Sequence, residues 1–95
     1  MKIDLLKIIP KGIGNRITST EINRFTNLNG ADIRAEVHRL RSSATPIASD
    51  KKGYFIAETP DELDHTIAQL NSRIHKMIVA REGLKKAQRL MTKTN

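Results

Sequence analysis

Apolar positions recur along this chain with a period that changes from one stretch to the next, and each period predicts an element. At the N-terminus Ile3, Leu6 and Ile9, with Leu5 and Ile8 beside them, predict a short apolar-rich helix that Pro10 and Gly12 end. Lys11-Gly12-Ile13-Gly14-Asn15-Arg16 reads as turns. Ser19 then stands before Thr20, Glu21 and Ile22 as a helix N-cap with an acid in the first turn, and Ile22 and Phe25, three apart, are expected on the core. Asn27-Leu28-Asn29-Gly30 breaks that helix, and Asn29 with Asp32 three residues on has the form of a capping pair for the next. From there Ile33, Val37 and Leu40 repeat at helical spacing, which leaves Ala31, Arg34, Ala35, His38 and Arg41 on the opposite face. Ser42-Ser43-Ala44-Thr45-Pro46 closes this second helix.

Beyond Pro46 the period falls to that of strands. Ile47-Ala48-Ser49 and Tyr54-Phe55-Ile56-Ala57, the second run rich in aromatic and β-branched residues, flank Asp50-Lys51-Lys52-Gly53 and predict a hairpin. Thr59, Pro60, Asp61 and Glu62 then supply a cap, a proline for the first turn and acids for the positive end of the dipole of one long helix. Along it Leu63, Ile67, Leu70, Ile74, Met77, Arg81, Leu84, Gln88 and Met91 alternate steps of four and three, the spacing of a coiled-coil seam. Gly83 is its weak point. The expected organisation is therefore a mostly α fold with a small β-hairpin: a winged helix-turn-helix over 1–58, then a long C-terminal helix over 59–93 as a dimerisation or interaction element.

Composition narrows the chemistry. Ninety-five residues make one small domain. No cysteine is present, which removes disulfides, thiolate catalysis and cysteine-ligated zinc, and the N-terminus lacks the apolar run of a signal peptide, so a cytoplasmic location is expected. Seventeen Lys and Arg against ten Asp and Glu give a net charge of +7, and the basic residues concentrate from Arg73 to Lys93. A polyanion is the first partner to consider, because a basic chain gains affinity by releasing counterions from phosphates. His38, His65 and His75 are too dispersed to predict a metal site, no nucleophile, base and orienting group gather in a motif, and neither an enzyme nor a cofactor is expected.

The strings Ile17-Thr18-Ser19-Thr20-Glu21-Ile22, Ile33-Arg34-Ala35-Glu36-Val37-His38-Arg39-Leu40-Arg41, Pro46-Ile47-Ala48-Ser49 and Lys52-Gly53-Tyr54-Phe55-Ile56-Ala57 together resemble small winged helix-turn-helix DNA-binding proteins of bacteria and their phages. The resemblance covers about the first two-thirds of the chain. It implies that the segment from Ile17 supports a recognition helix over about Gly30 to Arg41, that the hairpin is the wing, and that the protein is a small regulator of transcription or replication. Two departures stand out: Ala44-Thr45 where such proteins often carry a glycine before the proline, and Asn27-Leu28-Asn29-Gly30 in place of a Gly-hydrophobic-Ser turn.

A helix in the major groove needs side chains that reach base edges and cations that hold phosphates. The expected DNA-binding set is Asn29, Ala31, Arg34, Ala35, His38 and Arg41 on the helix, with Lys51 and Lys52 on the wing and Arg16 and Arg24 nearby for phosphates. Arg34 can bond two acceptors on guanine, Asn29 can donate and accept at adenine, and the alanines can touch a thymine methyl. For the long helix, the seam of Leu63, Ile67, Leu70, Ile74, Met77 and Leu84 leaves three readings: folding back on the domain, pairing with a second copy, or binding another protein's helix. Homodimerisation would let two recognition helices address a two-fold symmetric site. The rival to DNA binding is an interaction module for a host or phage replication or transcription protein. Nothing in the chain predicts a membrane span.

Overall fold

The computed structural model describes residues 4–92. Ile3 and Lys93, both part of the expectations above, lie outside the described residues. The order is a 3-10 turn over Leu5–Lys7, a second over Ile13–Asn15, helix α1 (Ser19–Thr26), helix α2 (Gly30–Ser42), strands β1 (Ile47–Asp50) and β2 (Gly53–Ile56), a 3-10 turn over Pro60–Leu63, and helix α3 (Asp64–Thr92). This is a mostly helical chain with one antiparallel hairpin and a long C-terminal helix, in the order of a winged helix-turn-helix.

The N-terminal helix expected from Ile3 to Ile9 contracts to a single 3-10 turn, capped by Asp4, whose side chain accepts from the Leu6 N–H at 3.0 Å. Its core residues are Leu5 and Ile9, four apart, while Leu6 is exposed. In α1 the N-cap is Thr18 rather than Ser19: the Thr18 hydroxyl accepts from the Glu21 N–H at 3.1 Å and the Glu21 carboxylate accepts from the Thr18 N–H at 3.0 Å. That register puts Ile22 and Thr26 inward and leaves Phe25 74% exposed, contrary to its expected core position. Thr26 tolerates burial because its hydroxyl donates to the Ile22 carbonyl and accepts from the Leu28 N–H.

α2 follows its predicted pattern. Asn29 and Asp32 form a reciprocal cap, and Ile33, Val37 and Leu40 are buried. At its C-terminus Ala44 N–H donates to the Arg41 carbonyl and Thr45 N–H to the Leu40 carbonyl, the paired bonds of a Schellman ending. That ending needs a left-handed residue, and Ala44 supplies it at φ 68°.

The hairpin pairs Ile47 with Ile56 through to Asp50 with Gly53. One element was not foreseen: Ile17 exchanges both backbone bonds with Tyr54, at 2.9 and 2.8 Å, and so adds a third edge to the hairpin. Gly53 permits this approach, since a Cβ there would stand 2.4 Å from the Ile17 carbonyl oxygen and the backbone has φ 135°. The core of Leu5, Ile9, Ile17, Ile22, Ile33, Val37, Leu40 and Ile47 lies between the helices and this sheet. Helix α3 contributes only Thr66 to the buried set, and from 71 to 92 it is exposed on every side. No helix among the described residues is long and apolar enough to cross a membrane.

Candidate nucleic-acid interface

The outward face of α2 presents Ala31, Arg34, Ala35 and His38, all exposed. Arg34 and His38 are one turn apart, and their side chains make no hydrogen bond or ion pair among the described residues. The opposite flank of the same helix carries its acids: Glu36 holds Arg39 in a two-point ion pair, and Asp32 is engaged in the cap. Charge is therefore sorted across α2, with Arg34 on the side toward the wing and Asp32, Glu36 and Arg39 on the other.

Two members of the expected set have other duties. Asn29 uses its side-chain oxygen to accept from the Asp32 N–H at 2.8 Å, so the cap occupies one of that oxygen's two acceptor sites and fixes the amide's direction. Arg41, expected on the outer face, turns inward: its Nε donates to the Ile47 carbonyl at 2.8 Å and a terminal nitrogen donates to the Ser49 hydroxyl at 3.1 Å. It ties the end of α2 to β1. Burial lowers its pKa, with the Arg73 charge adding to the effect, though a guanidinium keeps its proton under any ordinary condition.

The wing tip is built by Asp50. Its carboxylate accepts from the Lys52 N–H at 2.8 Å, which closes the turn, and from the Arg16 Nε at 2.7 Å, which locks the turn to the segment before α1. Burial works to raise the Asp50 pKa, but the Lys52 N–H, Arg16 and the Gly53 N–H outweigh it and hold the carboxyl below its usual value. Arg16, expected to reach phosphate, is instead an internal brace that also lies 6.0 Å from the Phe55 ring centroid. With Asp50 so occupied, Lys51 and Lys52 project from the tip, exposed and without ion-pair partners among the described residues.

Between α2, the wing and the start of α3 runs a groove of about 600 Å³ lined by Arg34, His38 and Arg41 from α2, Tyr54 from the wing, and Leu70, Arg73 and Ile74 from α3. No carboxylate lines it. Arg73 also faces the other side of the wing tip, beside Lys51, Gly53 and Tyr54. Its role was hidden in the sequence by its place within a general basic run; only the packing of Thr66 on Ser49, with a bond from the Ser49 N–H at 3.0 Å and one to the Ser49 carbonyl at 3.2 Å, brings this turn of α3 alongside α2. Among the described residues no His, Cys, Asp or Glu side chains gather as a metal site.

The expected seam residues Ile67, Leu70, Ile74, Met77 and Leu84 line one face of α3 and are between 37% and 72% exposed, whereas Leu63 is half-buried in the turn before it. The chain matches no known protein family, no curated protein and no solved structure.

Proposed function

We propose that this chain binds double-stranded DNA with α2 in the major groove and the wing on the flanking backbone, and acts by occupying its site as a small regulator of transcription or replication, of the kind carried by phages and mobile elements. The observation that carries this reading is the charge sorting: Arg34, His38, Arg41 and Arg73 line a groove without a carboxylate, Arg73 reaches on to the wing tip beside Lys51, and the nearby acids are spent on caps, on Arg39 and on Arg16. A cationic surface of this kind supplies the phosphate attraction, and Arg34 the base contact. Catalysis has no part in it. The location that fits is the cytoplasm of a bacterial or phage-infected cell.

The protein acts as a homodimer through α3 in this reading. Covering the exposed parts of Ile67, Leu70, Ile74, Met77 and Leu84 gains roughly 1 kcal/mol each. Two tethered recognition helices make up for a face on which Ala31 and Ala35 can offer bases little. The test is selection from a random duplex pool followed by binding at low salt: an enriched palindrome is the expected result, and failure to retard any duplex removes the proposal.

A second reading draws on the same exposed apolar face. The chain would be an adaptor whose α3 grips the helix of a host or phage replication or transcription protein, its charge incidental. Stoichiometric recovery of one such protein after nuclease treatment, with no duplex bound, favours it.

A further inference from the structure

We infer that the occupant of the apolar face of α3 is a second copy of this chain running antiparallel, aligned so that Met77 of one copy lies against Arg81 of the other and Leu70 against Gln88. This rests on the reading of α3 as a self-association element and adds its direction and register.

Three observations select that arrangement. First, the seam is uneven. Ile67, Leu70, Ile74 and Met77 are apolar, but Arg81 and Gln88 interrupt the second half. A parallel pair would set Arg81 against Arg81 and Gln88 against Gln88. The antiparallel register places each of these two polar side chains opposite an apolar one and brings Ile74 against Leu84. Isoleucine at 67 and 74 with leucine at 63 and 70 is a pattern that suits parallel dimers, but two guanidiniums facing each other inside a closed seam outweigh it.

Second, charge is segregated along α3 and the turn before it. Asp61, Glu62 and Asp64 sit at one end with no lysine or arginine between 60 and 72, while Arg81, Lys85, Lys86 and Arg89 against Glu82 alone occupy 80 to 92. Parallel pairing stacks like ends together; antiparallel pairing draws the two acidic ends apart and the two basic ends apart, and opposes the helix dipoles. On the flanks of the helix pair Arg73 then stands beside Ala87 and Lys85 beside Asn71, so neither flank of α3 sets these charges against a like one.

Third, space decides in the same sense. The seam at Leu70 and Ile74 is flanked by α2 and the wing. A parallel partner would bring its own winged domain to that end. An antiparallel partner brings the bare half of its helix, exposed all round from 71 onward. The two winged domains then stand at opposite ends of the pair, related by a two-fold axis perpendicular to it near Val79, with both recognition helices on one side.

The absence of cysteine makes the test clean. Ile74→Cys and Leu84→Cys are made separately in the full chain, at exposed positions that leave the domain core intact, and oxidised alone and mixed. The antiparallel register predicts a disulfide dimer in the mixture and little in either variant alone. Nitroxide labels on Ala68→Cys are then expected about 33 Å apart, twice the eleven-residue distance to the axis at 1.5 Å per residue. Leu84→Cys cross-linking to itself, with labels under about 20 Å apart, overturns the antiparallel arrangement and leaves the dimer standing. A monomer at all concentrations in sedimentation, with no cross-link, removes the self-association reading itself.

Discussion

Removing the wing lysines should change how affinity depends on salt more than it changes what sequence is bound. Lys51 and Lys52 stand at the hairpin tip with no acid to neutralise them, because the only carboxylate in the turn, Asp50, is held by Arg16 and by the Lys52 N–H. Each lysine that neutralises a phosphate contributes about 0.9 to the slope of log K against log salt. In Lys51→Ala/Lys52→Ala a dimer using both wings loses four such contacts, so the slope becomes shallower by about 3.6; a protein using one wing loses about 1.8. Between 50 and 200 mM monovalent salt the wild type should therefore lose about 150-fold more affinity than the variant if both wings engage, and about 12-fold more if one does. Fluorescence anisotropy on one labelled duplex across that range reads the slope directly, and repeating it on a scrambled duplex reads specificity. The ratio between the two duplexes should not move. Equal slopes for wild type and variant, with the hairpin intact by circular dichroism, would refute the wing's role in holding phosphate.

Other substitutions separate reading from folding. Arg34→Ala should weaken binding to the selected site by about 1–3 kcal/mol, with a smaller loss on scrambled DNA, as measured by competition; an equal loss on both would make Arg34 a phosphate contact. Ala44→Gly should raise the urea midpoint by an amount equivalent to about 1 kcal/mol, since a left-handed alanine costs about 1–2 kcal/mol and the added freedom of the unfolded glycine returns only part; a lower midpoint would show that the turn is not strained. Gly53→Ala should destabilise by at least about 2 kcal/mol, because the added methyl meets the Ile17 carbonyl and breaks the Ile17–Tyr54 pair, and unchanged thermal unfolding would contradict that contact. Asp50, with its folded pKa held below the unfolded value of about 3.9, contributes stability that is present above about pH 5 and lost as pH falls through the folded value. Asp50→Asn should accordingly unfold at a lower denaturant concentration at pH 7 and show a flatter acid limb than wild type.

Local signals in the sequence located local structure well. The Asn29–Asp32 cap, the Ile33-Val37-Leu40 stripe and the Lys51-Lys52 tip each depend on residues within a few positions of one another, and each is where the pattern puts it. The misplaced cap of α1 turns on one residue: three adjacent hydroxyl side chains at 18 to 20 all suit a cap, and only counting back three from Glu21 selects Thr18. The error at Phe25 has the same origin, since an eight-residue helix has room for one buried turn and the spacing of four, Ile22 to Thr26, fills it with a polar residue whose hydroxyl is satisfied locally. What the sequence concealed were contacts between distant segments. Ile17 joining Tyr54, Arg16 bracing Asp50, Arg41 turning under the wing and Arg73 arriving beside α2 all depend on tertiary packing, and a basic residue committed to a carbonyl looks in sequence like one free for phosphate.

The same distinction explains how the two halves of the chain depend on each other. The winged core is lined by residues from Leu5 to Ile47 with Tyr54 and Ile56 packed against it, and α3 adds one buried side chain, Thr66, hydrogen-bonded to Ser49. Helix α3 beyond the groove has no such support: an isolated helix is marginal in water, and this one carries Gly83 near the centre of its free half. In the proposed dimer the seam contacts would support this half of α3, and holding two winged domains on one duplex would favour that pairing. In the proposed complex, binding of DNA and pairing of α3 would stabilise each other by linkage, with no conformational relay between them. Once Asn29 and Arg41 are assigned to the cap and the β1 tie, Arg34 is left with His38 and two alanines on the proposed reading face, and such a face would discriminate between sequences chiefly by being used twice.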